Sequence, residues 1–178
     1  MNLDLIVFRW LNSWAGINEW LDAGIIFRAE WLGLWLGGAL GVFIVLGKDK
    51  RRELRMVLQA LLAVLVSRFF VTELIRYFYD RPRPFEILEN IYQLLEHSPG
   101  GSFPSGHAAF FFALAMSVFF HRKIWGIIFF LGAISIGLSR VAAGLHWPSD
   151  ILGGAIVGIL TSILINFLVK KYKKPGSF

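Results

Sequence analysis

Residues 151–169 read ILGGAIVGILTSILINFLV, an apolar run of 19 residues without a charged side chain. As an α-helix this run would rise about 28 Å, enough to cross the hydrocarbon core of a bilayer. Three runs of similar character occupy 31–47, 103–120 and 124–139, and a fifth at 56–72 is apolar apart from three polar positions. The sequence therefore predicts an all-α fold: a polytopic membrane helical bundle of about five transmembrane helices.

The composition indicates a membrane protein made of one domain. Of the 178 residues, 56% are hydrophobic and 17% are charged, whereas about 25% are charged in soluble domains. These values exclude intrinsic disorder, a coiled coil and an ordinary soluble domain. Cysteine is absent, which excludes disulfides and a thiolate nucleophile. We expect residues 1–178 to form a single membrane-embedded domain, with a core at 60–170 that carries the candidate functional residues.

The basic residues predict the orientation of the chain. Three segments, 48–55, 122–123 and 170–174, hold 11 of the 18 basic residues and every lysine. With five spans these segments share one face, and the positive-inside rule makes that face cytoplasmic. The net charge of +6 is thus explained by topology, and we expect no nucleic-acid partner.

The first thirty residues do not form a clean span, because charged residues interrupt them. Leu3, Ile6, Trp10 and Trp14 recur at helical spacing. This pattern favours short amphipathic helices over residues 1–30 that lie in the outer membrane interface. A sixth span is the alternative.

Three short segments hold most of the reactive side chains, each at the non-cytoplasmic end of a predicted span. The first, RYFYDRPRP at 76–84, contains Arg76, Arg81 and Arg83. Guanidinium groups match phosphate oxygens in a bidentate fashion, so this cluster suggests an anionic headgroup. Simple anchoring to lipid phosphates, or pairing with Glu73 and Asp80, is the alternative interpretation.

The second segment, SFPSGHAAF at 102–110, has the pattern of a helix start. Ser105 and Gly106 stand where backbone N–H groups would be free to bind an anion. His107 would then lie beside that anion, where a general acid is useful. A plain helix cap with a solvated histidine explains the same residues.

The third segment, SRVAAGLHWPSD at 139–150, combines Arg140, His146 and Asp150. The four-residue spacing lets the carboxylate accept a hydrogen bond from one imidazole nitrogen and leaves the other as nucleophile or base. A metal site would need more ligands, and the arginines nearby oppose a divalent cation. A purely structural His–Asp pair is the remaining alternative.

Taken together, these segments resemble the type 2 phosphatidic acid phosphatase family. The family pattern is K-x6-RP, then PSGH, then SR-x5-H-x3-D. The chain matches with Arg83-Pro84, with 104–107, and with Ser139-Arg140, His146 and Asp150. It departs at the first position, where Arg76 replaces the usual lysine and a planar fork replaces a point charge.

The resemblance implies a role for each matched residue. His146 would attack phosphorus and become a phosphohistidine, Asp150 would hold its tautomer, and His107 would protonate the leaving group. The remaining residues would stabilise the transferring phosphoryl group; these are Arg76, Arg83, Ser105, Gly106 and Arg140. The scheme needs no metal and no cofactor.

Short length and interfacial N-terminal helices look most like the bacterial polyprenyl-diphosphate phosphatases of this family. The resemblance implies conversion of undecaprenyl diphosphate to the monophosphate in the bacterial cytoplasmic membrane, with the site facing the extracytoplasmic side. The expected partners are the phosphorylated lipid and the bilayer. Alternative interpretations are a lipid A 1-phosphatase, a phosphatidylglycerophosphate or phosphatidic acid phosphatase, and a non-enzymatic lipid-phosphate carrier.

Overall fold

The computed structural model describes residues 3–172, most of which are helical. Its helices, numbered in chain order, are α1 (Leu3–Asn12), α2 (Glu19–Leu46), α3 (Lys50–Phe78), α4 (Pro84–Ile87), α5 (Gly106–His121), α6 (Lys123–Ala142) and α7 (Pro148–Lys171). Within this part of the chain, α2, α3, α6 and α7 are long and apolar enough to cross a membrane, and α5 is a shorter apolar helix of 16 residues. The predicted helical membrane bundle is confirmed.

The N-terminal helix α1 is separate from the bundle spans and amphipathic, as expected. Phe8 and Leu11 are buried, whereas Trp10 on the other face is exposed. The ring of Phe8 packs 5.3 Å from that of Trp147, just before α7. With ten residues, α1 is too short for the alternative of a sixth span.

Residues 19–30 differ from the expected interfacial helix, because they are the first turns of α2. Asn18 caps this helix by accepting a hydrogen bond from Leu21 N at 2.8 Å. Arg28 and Glu30 do not end the helix, since both residue types have high helix propensity. Instead, Arg28 Nε donates to Ser139 Oγ of α6 at 3.3 Å.

At the centre of the bundle, α5 and α7 approach closely through small residues. A Cβ built on Gly158 would lie 2.4 Å from the backbone oxygen of Ala109. A Cβ built on Gly154 would likewise lie 2.4 Å from the backbone oxygen of Ser105. Further along the same interface, Ser117 and Ser162 share a hydrogen bond of 2.8 Å. The interface between α5 and α7 holds the starts of the two helices together, and the second and third motif segments lie there.

The basic segments meet at the opposite end of the bundle. Arg52 Nη2 donates to the backbone oxygen of His121 at 2.6 Å, and Arg122 forms an ion pair with the buried Glu53. Lys170 lies 6.0 Å from the ring of Phe120. Lys173 and Lys174, also part of the predicted basic tail, lie outside the described residues.

Candidate active site

The candidate site forms where α3, α5, α6 and α7 begin or end on the side away from the basic segments. His146 stands in the turn between α6 and α7 and is 1% exposed. Asp150 lies in the first turn of α7, where its Oδ2 accepts a hydrogen bond from Trp147 N at 2.8 Å. Since this contact caps the helix, the start of α7 itself orients the carboxylate.

The neighbours of His146 determine which ring nitrogen carries the proton. Nδ1 lies 3.4 Å from Asp150 Oδ2 and 3.3 Å from Ser102 Oγ, which itself donates to the same carboxylate oxygen at 2.5 Å. Nε2 lies 3.3 Å from Arg83 Nη1. A carboxylate only accepts and a guanidinium only donates, so Nδ1 must be the protonated nitrogen and Nε2 the one with a lone pair. This is the tautomer a nucleophilic histidine needs.

The electrostatic surroundings also favour the neutral imidazole. Burial lowers the pKa of His146 well below its ordinary value of 6.5, and the positive charges of Arg140, Arg83 and Arg76 lower it further. At neutral pH the ring is therefore uncharged and its Nε2 lone pair remains available.

Arg83 is held rigidly beside this lone pair. Nε donates to Gly100 O at 3.2 Å and Nη1 to Leu145 O at 3.1 Å, and the residue is buried. Burial lowers its pKa to about 10, and the positive charge of Arg76 contributes. The guanidinium thus stays charged at physiological pH and presents a fixed cation to an anionic ligand.

Arg76 and Arg140 keep part of their hydrogen-bonding capacity unused. Arg76 Nη2 donates to Pro104 O at 3.0 Å, and Arg140 Nη1 lies 3.3 Å from Nε2 of His107. The Nε atom of each arginine is buried and has no hydrogen-bond partner among residues 3–172. A buried donor without a partner is costly, and the phosphate oxygens expected here would relieve that cost.

The start of α5 adjoins this arginine cluster. The helix begins at Gly106, with Ser105 as its cap, and Ser105 N donates to the backbone oxygen of Asp150 at 2.9 Å. The eight residues predicted from the motifs thus lie in one region, linked by the contacts given above. Ser105 Oγ faces its own helix, with Ala108 N at 3.5 Å.

Sequence reasoning missed a supporting layer behind Asp150. Arg81 Nη1 donates to Asp150 Oδ1 at 2.8 Å, and its Nη2 donates to Asp4 Oδ2 at 2.6 Å. Asp4 also accepts from Ser149 N at 2.8 Å and from Ser149 Oγ at 2.6 Å. These contacts join α1 to the first turn of α7, but the residues are too far apart in sequence for any local pattern to reveal them.

Ser102 and Arg68 are two further residues that the motifs did not identify. Ser102 is fully buried against His146 and Asp150. Arg68, in α3, lies against the start of α5 and forms an ion pair with Glu73. The sequence does mark Arg68 as a candidate functional residue, because it is the charged residue within the apolar run 56–72.

No group of three His, Asp or Glu side chains that could hold a metal ion occurs in the described part of the chain. The charged groups around His146 are mainly guanidinium groups, which suit an anion. A buried histidine paired with a carboxylate and surrounded by guanidinium groups, in a helical membrane bundle, is the arrangement expected of a membrane phosphatase.

Comparison with protein families agrees with this class. Residues 57–174 match the model of the PAP2 superfamily, and the match includes all three motif segments. The chain belongs to this superfamily and is a phosphatase.

Individual relatives extend the similarity over most of the chain. The bacitracin transport permease protein BcrC of Bacillus licheniformis is 28% identical over 95% of this chain and 82% of its own length. The undecaprenyl-diphosphatase BcrC of Bacillus subtilis is also 28% identical, over 89% of this chain and 80% of its own length. Among solved structures, LpxE of Aquifex aeolicus has a TM-score of 0.78 and 27% identity, covering 94% of this chain and 96% of its own.

Proposed function

We propose that the protein hydrolyses undecaprenyl diphosphate to undecaprenyl monophosphate at the extracytoplasmic face of the bacterial cytoplasmic membrane. The observation that carries the reaction is the position of His146 Nε2, 3.3 Å from Arg83 Nη1, in a cluster with Arg76 and Arg140, each of which has a buried Nε–H without a partner in the described chain. The similarity to an undecaprenyl-diphosphatase over most of the chain supports the substrate.

In the first step Nε2 of His146 attacks the terminal phosphorus. Asp150 accepts from Nδ1–H and stabilises the positive charge that develops on the ring. Arg76, Arg83, Arg140, Ser105 and the backbone N–H of Gly106 neutralise the equatorial oxygens, where charge accumulates in the transition state. His107, which enters this step protonated, donates a proton to the leaving oxygen.

In the second step water cleaves the phosphohistidine. His107, now unprotonated, takes a proton from the attacking water, and the phosphorus–nitrogen bond breaks to release inorganic phosphate. This step returns His107 to its protonated form and His146 to its neutral form. The arginines bind the same oxygens in both steps.

The distribution of charge supports the extracytoplasmic orientation. The site lies at the end of the bundle opposite Arg52, Arg122 and Lys170. Because lysine and arginine are retained on the cytoplasmic side during insertion, the end without lysines faces outward.

The test is phosphate release from undecaprenyl diphosphate by the purified protein in detergent with excess EDTA. We expect turnover that survives EDTA and disappears in His146→Ala, while His121→Ala, a change at the far end of α5, retains it. Release from a lipid A or phosphatidylglycerophosphate sample, but not from the polyprenyl lipid, would keep the mechanism and reject the substrate. Full release by His146→Ala would reject the phosphohistidine mechanism.

A further inference from the structure

Arg68 is a charged residue of α3 that belongs to none of the three motif segments. A Cβ built on Gly106 would lie 2.5 Å from Arg68 Nε, so the guanidinium rests directly against the start of α5. Its side chain is 28% exposed. A charged side chain within an apolar membrane run is costly and points to a function.

A local distortion of α3 presents Arg68 at this position. Val66–Val71 form a π-helical turn, which inserts one extra residue and changes the direction of the side chains that follow. Ser67 is buried and its hydroxyl donates to Ala109 O of α5 at 3.3 Å, while Thr72 Oγ1 donates to Ser67 O at 2.8 Å. The contact to Ala109 holds the turn against α5, the contact from Thr72 lies within α3, and together they keep Arg68 next to the site.

Arg68 also lines a cavity of about 230 Å³ together with Gly106, His107 and Phe110. Phe69 and Phe111 complete its apolar wall. His107 is the residue that protonates the leaving oxygen in the proposed mechanism. A cation beside His107 therefore lies next to the group that the leaving oxygen carries. In a lipid monophosphate this group is the carbon of the lipid, and in a lipid diphosphate it is the second phosphoryl group.

Glu73 holds Arg68 beside a phosphate ligand of the proposed site. Its Oε1 lies 2.5 Å from Arg68 Nη1 and 3.3 Å from Arg76 Nη1. The two guanidinium groups thus share one carboxylate oxygen, which places them next to each other. Glu73 is 49% exposed, and because exposed ion pairs contribute little free energy, an entering phosphate can displace it at low cost.

We propose that Arg68 binds the second phosphoryl group of a diphosphate lipid, next to His107, and thereby selects diphosphate over monophosphate substrates. This inference rests on the proposed function. As the bond from the terminal phosphorus to His146 Nε2 forms, the bond to the bridging oxygen breaks. That oxygen takes the proton of His107 and leaves with the lipid monophosphate, whose negative charge Arg68 neutralises.

The experiment compares two probes with the same tail, farnesyl diphosphate and farnesyl monophosphate, in one detergent. The readout is the ratio of their kcat/KM values for the wild-type protein and its variants. Arg68→Gln should lower the ratio about tenfold to a hundredfold, the range expected for a lost hydrogen bond between charged groups. Arg68→Lys should lower it less, since charge is kept and only the fork is lost. Arg55→Gln, on the same helix near the other end, should leave it unchanged.

Each outcome bears on one proposal or on both. A wild-type preference for the diphosphate that Arg68→Gln retains would overturn the role of Arg68 and leave the proposed function intact. An equal loss on both probes would likewise overturn it. A wild-type preference for the monophosphate, or no release from either probe, would overturn the proposed function and this inference together. If Arg68→Gln aggregates on gel filtration, Arg68→Lys decides: a ratio equal to that of the wild type contradicts the proposal.

Discussion

At the scale of single residues, the chemistry of the site depends on His146 having unlike neighbours on its two ring nitrogens. Asp150 and Ser102 lie on the Nδ1 side and Arg83 on the Nε2 side. Asp150 and Ser102 hold a proton on Nδ1, and the positive charge of Arg83 disfavours a second proton on Nε2. The imidazole is thus neutral with a lone pair on Nε2, which is the form that the proposed nucleophilic role requires.

This environment predicts the pH dependence of the reaction. Burial and the surrounding arginines lower the pKa of His146 below 6.5, so the nucleophilic form persists as the pH falls through 6.5 and is lost only at more acidic values. The acid limb of kcat/KM, which reports the free enzyme, should therefore have its midpoint below pH 6.5. The ionisation of the substrate is measured by phosphorus NMR in the same detergent, and the pH profile of kcat/KM is corrected for it. A corrected midpoint at or above 6.5 would contradict this.

At the scale of elements, the contact between α5 and α7 holds the second and third motif segments together. Gly154 and Gly158 bring the two helix backbones close enough that the start of α5 bonds to the start of α7 through Ser105 N and Asp150 O. The geometry of the site therefore depends on an interface that extends well into the bundle.

The requirement for glycine can be tested with two matched substitutions. Gly158→Ala places a methyl group 2.4 Å from Ala109 O and should cost about 1–3 kcal/mol of stability. Gly41→Ala in α2 meets nothing within 4 Å and should be neutral or slightly stabilising. Thermal unfolding in detergent, followed by intrinsic fluorescence, gives the comparison. Equal effects of the two changes would show that the close approach has no energetic role.

The α1 helix is a second element whose placement affects the site, through Asp4. Removal of its carboxylate in Asp4→Ala takes one hydrogen-bond partner from Arg81 and one from Ser149, the residues that hold the first turn of α7. Because Asp4 would affect the reaction through the position of this turn, we expect kcat to fall roughly tenfold with little change in KM.

Two further variants separate this positioning role from general destabilisation. Asp4→Glu keeps the charge and should recover part of kcat. Asp22→Ala removes another N-terminal carboxylate, which accepts from Gly16 N at 2.8 Å, and should leave kcat near the wild-type value. A loss of kcat in Asp22→Ala as large as in Asp4→Ala would reject the role of Asp4.

At the scale of the whole molecule, charge is divided between the two ends of the bundle. One end carries the basic segments, the buried Glu53 and its ion pair with Arg122. The other carries arginines without lysines, gathered around His146. By the positive-inside rule this division predicts the direction of the bundle in the membrane, with the candidate site at the end opposite the basic segments.

The orientation can be measured directly because the chain has no cysteine. Single cysteines at exposed positions, Ser98→Cys near the site and Lys123→Cys at the basic end, would be treated with a membrane-impermeant maleimide on intact cells. We expect labelling of Ser98→Cys alone, and labelling of both after lysis. Labelling of only Lys123→Cys on intact cells would reverse the proposed orientation.

Local patterns in the sequence predicted most membrane helices and the residues whose spacing is local. An apolar run long enough to cross the bilayer identifies a span, because neither a soluble domain nor a disordered chain tolerates such a run. The pairing of His146 with Asp150 and the cap at Ser105 are likewise local, since each involves residues within four positions of one another at the start of a helix. The limits of α2 do not follow from the sequence, because the charged residues within 19–30 indicate an interruption, whereas the helix tolerates them.

Only the tertiary structure revealed what stands behind the motif residues. Asp4 contacts Ser149 across 145 positions of sequence, and Arg68 reaches Gly106 only because a π-helical turn redirects it. Contacts of this kind leave no periodic pattern in the chain, because they depend on how separate helices pack and not on the spacing within one of them. The sequence therefore indicated the class of reaction, while packing decided which side chains orient His146 and which cation lies beside His107.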